Sequence, residues 1–172
     1  MKKILFLFSL VALVNVVKAQ ENAAAGFHIA AGINAALPVG DFNDSHSFGI
    51  GIEAQPEFNF SEKFSVYGSV GYTSYFGKTI DFGEGGKYDV PNAGIIPILA
   101  GARFYATPQF FIGAKAGIGL LSSDGESESA FDYQPQVGYS GKKFEINLGY
   151  NSLSKDGESL SNLSLSILYK IK

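Results

Sequence analysis

The chain has 172 residues and a formal charge of −3, one domain's worth of sequence in which glycine (21), phenylalanine (15) and tyrosine (9) are abundant while charged residues are only 17%. It has no cysteine, which excludes a disulfide, a thiolate metal site, a thiol nucleophile and a lipidated N-terminal cysteine. Only His28 and His46 remain for imidazole chemistry.

Lys2 and Lys3 precede an apolar run from Ile4 to Val17, and Val17-Lys18-Ala19 closes it with a small residue. That order of charge, apolar stretch and small residue predicts a secretory signal over residues 1–19, cleaved to leave Gln20 at the start. The rival, an uncleaved anchor, needs a longer apolar run. Cleavage removes three lysines, leaving 10 basic against 16 acidic residues, so the formal charge moves from −3 to −6.

The remainder, residues 20–172, reads as a single β domain. Gly26 to Ala36 is the first predicted strand, with Phe27, Ile29, Ala31, Ile33 and Ala35 on one face. A polar loop, PVGDFNDSHS, follows from Pro38 to Ser47. Phe48 to Phe60 then alternates strictly: Phe48, Ile50, Ile52, Ala54, Pro56, Phe58 and Phe60 against Gly49, Gly51, Glu53, Gln55, Glu57 and Asn59. Period two puts those sets on opposite faces of a strand. After Ser61-Glu62-Lys63, Phe64 to Tyr75 repeats the pattern, so the pair predicts a hairpin. Residues 77–92 are the longest expected loop, with a turn at Glu84-Gly85-Gly86.

Strand four is expected over Gly94 to Ala106, with Arg103 on the polar face. Strand five runs from Phe110 to Leu121, with Lys115 opposite its Ile and Ala residues. Ser122 to Ser129 reads as an acidic loop, followed by strand six (Ala130 to Ser140) with Asp132 on the polar face. Strand seven spans Phe144 to Asn151 with Glu145 on the polar face. After a loop over Ser154 to Asn162, strand eight carries Leu163, Leu165, Ile167, Tyr169 and Ile171, with Lys170 opposite. Connections alternate long and short, so all long ones fall at one end. The expected fold is an all-β, eight-stranded antiparallel up-and-down transmembrane β-barrel.

Alternation alone does not say which face is inward. Small residues crowd the polar face (Gly49, Gly51, Ser69, Gly71, Gly101, Gly113, Gly117), and an eight-stranded barrel has room inside for little else. Aromatics of the apolar parity gather at strand ends: Phe58, Phe60, Phe64, Phe104, Phe110, Tyr139, Phe144 and Tyr169 by the short turns, Phe48, Tyr72, Phe131, Tyr133 and Tyr150 by the long loops. Two such belts around an aliphatic middle suit a bilayer. With an export signal, they predict the outer membrane. Pro56, Pro97 and Pro135 fall within strands of a barrel that offers no free edge, so bulges are expected at them.

PVGDF after strand one, the Phe-rich hairpin at Phe58 to Phe64, and GIIPILAGARFYA followed by FFIGAKAGIG resemble the small outer-membrane β-barrel proteins of Bacteroidetes-type bacteria, related in architecture to the OmpA membrane domain and OmpX. The resemblance covers essentially the whole of the chain after the signal, and it implies a place more than an activity. It also implies lipid and lipopolysaccharide surroundings and handling by the outer-membrane insertion machinery. Tyr169 is followed by Lys170-Ile171-Lys172, where insertion signals of such barrels end on an aromatic residue. A periplasmic peptidoglycan-binding domain like that of full OmpA proteins is not expected, and the barrel is expected to be monomeric.

No cofactor, metal centre or catalytic site is expected. Ser45, His46 and Ser47, with Asp41 and Asp44 nearby, hold the residue types of a hydrolytic triad, but adjacent loop residues do not supply its geometry. His28 is expected as a hydrogen-bonded interior histidine. Asp41, Asp44, Asp81, Glu84, Asp89, Asp124, Glu126, Glu128, Asp156 and Glu158 share the long-loop end with Lys78, Lys87 and Lys155. This acidic rim excludes nucleic acid, lacks the spacing of a calcium loop, and is read as solvated charge. Two functions stay open: a structural or interaction barrel whose acidic loops contact envelope or external partners, and a narrow pore or small-solute transport barrel. Glu53, Glu57, Asp132 and Glu145 share the inward parity with Arg103, Lys115 and Lys170, so a charge cluster within the barrel is expected.

Overall fold

The computed structural model describes residues 26–83 and 86–171. The signal segment and Gln20 lie outside them, as do Glu84, Gly85 and Lys172. The elements are β1 (Gly26–Val39), α1 (Asp41–Ser45), β2 (His46–Asn59), β3 (Phe64–Gly77), β4 (Thr79–Asp81), β5 (Lys87–Asp89), β6 (Ala93–Tyr105), β7 (Phe110–Ser123), β8 (Glu126–Ser140), β9 (Phe144–Lys155) and β10 (Glu158–Ile171). Eight strands close in the order β1-β10-β9-β8-β7-β6-β3-β2, while β4 and β5 form a separate two-stranded sheet above the barrel. Every neighbouring pair is antiparallel, and β1 meets β10 from Ile29↔Ile171 to Val39↔Ser161, so the barrel itself has no free strand edge.

The period-two pattern sets the faces. Ile33, Ile52, Ile118 and Leu148 are each at least half exposed, whereas Gln55, Ser65, Arg103, Asp132 and Glu145 are fully buried. Such inversion is stable only where the outer surface meets lipid. Among the described residues no helix is long and apolar enough to cross a membrane, and the crossing is made by strands. Small residues let strands and side chains approach inside: a Cβ at Gly51 would overlap the Tyr72 carbonyl oxygen on β3. At the short-turn end, ring pairs join neighbouring strands, with centroids 5.2 Å apart for Phe64–Phe104 and Phe110–Tyr139 and 5.3 Å for Phe144–Tyr169.

Two of the three short turns close through their own hydroxyls, and the third through the Gly141 amide on the Phe144 carbonyl at 2.8 Å. Ser61 Oγ accepts from the Phe64 amide at 3.2 Å, and Thr107 Oγ1 from the Phe110 amide at 3.0 Å. The long-loop end differs from expectation. Ser122–Ser129 and Ser154–Asn162 are strand extensions rather than loops, turned over Asp124-Gly125 (φ 51° and 83°) and Asp156-Gly157 (φ 52° and 91°). Asp-Gly with both φ positive is the tight turn whose twist matches paired strands. The 77–92 segment holds the β4–β5 hairpin, and the polar loop after β1 contains α1.

The expected bulges at the prolines are absent. Pairing of β2 with β3 has one register throughout Gly49–Asn59, so Pro56 sits in an unshifted ladder. The same holds for Pro97 between β3 and β7 and for Pro135 between β7 and β9. Around each proline the ladder pairs lapse on one side and resume in register, which loses one donor without adding a residue. The shift that does occur in β2–β3 lies between His46 and Gly49.

Candidate functional site in the barrel lumen

Inward side chains form three stacked groups. Nearest the short turns, Arg103 on β6 is 1% exposed, and its guanidinium bonds Glu57 of β2 and Glu145 of β9. Nη2 lies 2.8 Å from Glu145 Oε1 and Nη1 lies 3.0 Å from Glu145 Oε2, a two-pronged contact. Nη2 also donates to Gln55 Oε1, Tyr105 Oη donates to Glu57 Oε1 at 2.8 Å, and Asn147 Nδ2 donates to Glu145 Oε1 at 3.0 Å. The guanidinium carbon sits 4.1 Å from the Tyr67 ring centre and 4.4 Å from that of Phe111. Planar, weakly hydrated Arg suits such a slot between carboxylates and rings.

One level up, Lys115 of β7 pairs with Glu53 of β2. Glu53 also accepts from Gln55 Nε2 at 2.9 Å, from Ser166 Oγ at 3.0 Å and from Ser69 Oγ, so both of its oxygens are hydrogen-bonded, by donors from four strands. Higher still, Asp132 of β8 is 0% exposed; its Oδ1 accepts from Asn151 Nδ2 at 2.6 Å, and Asn162 Nδ2 donates to Asn151 Oδ1 at 3.2 Å. Lys170 is half-buried at the lower end and donates to Ser140 Oγ, without a carboxylate partner among the described residues. Thus the seven sequence-derived residues divide: Glu57, Arg103 and Glu145 together, Glu53 with Lys115, and Asp132 and Lys170 each apart.

An apolar plug closes the outer mouth. Phe42 of α1 is 2% exposed and packs with Ala36, Tyr75, Ala93, Ile95 and Leu153. The Phe42 and Tyr75 ring centres are 4.9 Å apart. α1 exposes Asp41 and Asp44 to solvent and turns only Phe42 inward.

His28, Glu57 and Glu145 bring donor atoms within 4.8 Å of one another, the spacing of a metal ligand set. Arg103 already bridges both carboxylates there and neutralises one of their two charges, so the ligand oxygens are engaged by a side chain. His28 Nε2 stands 3.6 Å from Glu57 Oε2 and has no hydrogen-bond partner among the described residues, where an interior bond was expected. In the outer loop Ser45 Oγ lies 2.8 Å from His46 Nδ1, yet His46 Nε2 is buried without a hydrogen-bond partner among the described residues, so no carboxylate completes a triad. The rim acids that the structure describes are exposed, with Lys155 bridging Glu128 at 3.2 Å and Lys87 bridging Asp81 at 3.5 Å.

A closed eight-stranded barrel, apolar outside and ionic inside, defines an integral outer-membrane β-barrel protein. The chain belongs to the outer membrane protein β-barrel domain family, whose model matches residues 6–170. No curated protein sequence matches it. Among solved structures it is similar to Ail, the attachment invasion locus protein of Yersinia pestis, at 17% identity and TM-score 0.56, over 86% of this chain and 99% of that one. Ail has also been solved in complex with the heparin analogue sucrose octasulfate. Neisserial surface protein A is similar at 16% identity and TM-score 0.56, over 88% and 99% of the two chains. The N-terminal barrel of Pseudomonas aeruginosa OprF is similar at 9% identity and TM-score 0.56, over 86% and 99%. These likenesses place the fold, and with the family they place the protein in the outer membrane.

Proposed function

We propose that the protein is a non-enzymatic, non-conducting barrel whose work is done by its outer hairpins, in contact with the envelope or with external partners. The observation that supports this most is the lumen: an apolar plug at the mouth, a Lys115–Glu53 level and an Arg103–Glu57–Glu145 level lie in series along it. A path blocked by packed rings and by paired charges serves solute transport poorly. The β7–β8 and β9–β10 hairpins are continuous extensions of the barrel wall, rigid mounts for contact surfaces.

Ligand chemistry follows rim charge. Ail takes a polyanionic heparin analogue. Here Asp41, Glu128, Asp156 and Glu158 outnumber Lys155 around the outer cleft between the two hairpins, so cationic partners, or lipopolysaccharide bridged by cations, are the chemistry proposed. Insertion by the outer-membrane machinery as a monomer, cleavage before Gln20, and an origin in Bacteroidetes-type bacteria belong to the same reading.

The test is a deletion strain compared with its parent for envelope integrity and adhesion. It is complemented either by the intact protein or by a barrel with both Asp-Gly hairpins shortened to the membrane level. Restoration by the intact protein alone is expected. Full restoration by the shortened barrel would place the activity elsewhere than in the loops.

A further inference from the structure

We propose that the lumen holds one small monovalent cation of the sodium class against Asp132. Asp132 Oδ1 accepts a hydrogen bond from Asn151, but Oδ2 is buried without a hydrogen-bond partner among the described residues. No cationic side chain among them forms a salt bridge with Asp132 either, since the nearest lumen cation, Lys115, is committed to Glu53. An ionised carboxylate left so in a narrow lumen is costly unless something of opposite charge joins it.

Asp132 lines a cavity of about 30 Å³. That is room for an ion with one water, since a single water needs about 10–15 Å³ by the same measure. Thr73, Gln134, Asn162 and Ser164 add neutral oxygens to its walls, hard donors suited to alkali cations. The charged lining is Glu53, Asp132 and Lys115, which sums to a single negative charge. One monovalent cation balances it, whereas a divalent ion would leave an excess positive charge beside Lys115. A net acid charge of the lumen therefore sits where the space is. Because the Phe42 plug lies above and the Arg103 group below, exchange with solvent is slow and the ion enters as the barrel closes.

The experiment is refolding from urea into phospholipid vesicles, in sodium chloride or N-methyl-D-glucamine chloride at equal ionic strength and pH. A ligand bound by the native state alone raises stability with the logarithm of its concentration above Kd. The urea midpoint of the unmodified protein should climb with each tenfold increase in sodium, and that of Asp132→Asn should stay flat. Should that variant not fold, sodium retained by the folded unmodified protein after rapid desalting decides instead. One sodium per chain, released on unfolding in urea, is expected. A midpoint indifferent to sodium, an equal sodium response in Asp132→Asn, or no retained sodium would overturn the proposal. Stabilisation by acid without any sodium response would assign Asp132 a proton instead, and overturns it too.

Discussion

Arg103 Nη2 lies 2.8 Å from Glu145 Oε1, a contact that ties β6 to β9 across the lumen, two strands that share no ladder. The same guanidinium reaches Glu57 on β2, so one side chain braces three walls of the barrel. Removing it strands two buried carboxylates. Arg103→Ala should lose about 3–5 kcal/mol of folding stability, whereas Glu57→Gln, Arg103→Met and Glu145→Gln combined should lose less than that single change. Urea titration in phospholipid vesicles measures both; a triple variant weaker than Arg103→Ala would contradict the account.

Lipid contact makes a separate demand on the outer face. Ile98, Ile146 and Ile167 are 47%, 44% and 45% exposed on the apolar parity, in the middle reaches of their strands, and Ala114 shares that face. Arginine at any one of them should cost about 2–4 kcal/mol, falling toward the interfaces. The turn residue Glu62 is exposed outside the bilayer and should accept arginine with little change. Equal tolerance at Ile98 and Glu62 would mean that the faces are assigned the wrong way round.

Phe42 anchors α1 into the mouth by a single ring. Phe42→Ala should cost about 3 kcal/mol, the low end for a buried phenylalanine because the mouth can partly collapse. The Arg103 level remains below the lost ring, so conductance should stay near zero. Amide exchange at Ala36, Tyr75 and Ile95 should speed up. Unchanged exchange would show that the ring does not seal the mouth.

Much of this was legible because a β-strand repeats every two residues. Glu53 and Glu57 could be set inside, and Ile50 and Ile52 outside, from their parity alone. Parity does not say which strands face each other across the lumen, since closure and stagger decide that. Counting up from the short turns does set Glu57, Arg103, Glu145 and Lys170 low in the lumen and Glu53 and Lys115 nearer its middle, but the Arg103–Glu145 contact and the turning of Lys170 to Ser140 needed the structure. Tyr67 and Phe111, the rings that bracket Arg103, have inward parity that was readable, but aromatic residues there look like lipid-facing ones. The two Asp-Gly pairs were a readable turn signal, hidden by the acidic residues around them. Nothing local marked Phe42 as a plug: α1 has five residues, too few for helical periodicity to register. Pro56 shows the reverse error, a rule about ladder donors applied where losing one costs less than shifting the register.

A lumen blocked at three levels in series has one direct electrical consequence. Purified protein reconstituted in planar bilayers should give no steady conductance, and Phe42→Ala, Lys115→Ala and Arg103→Ala combined, which clear all three levels, should open small, unstable steps that none of the changes produces alone. Large, stable channels from the unmodified protein would contradict a closed lumen and make this a pore.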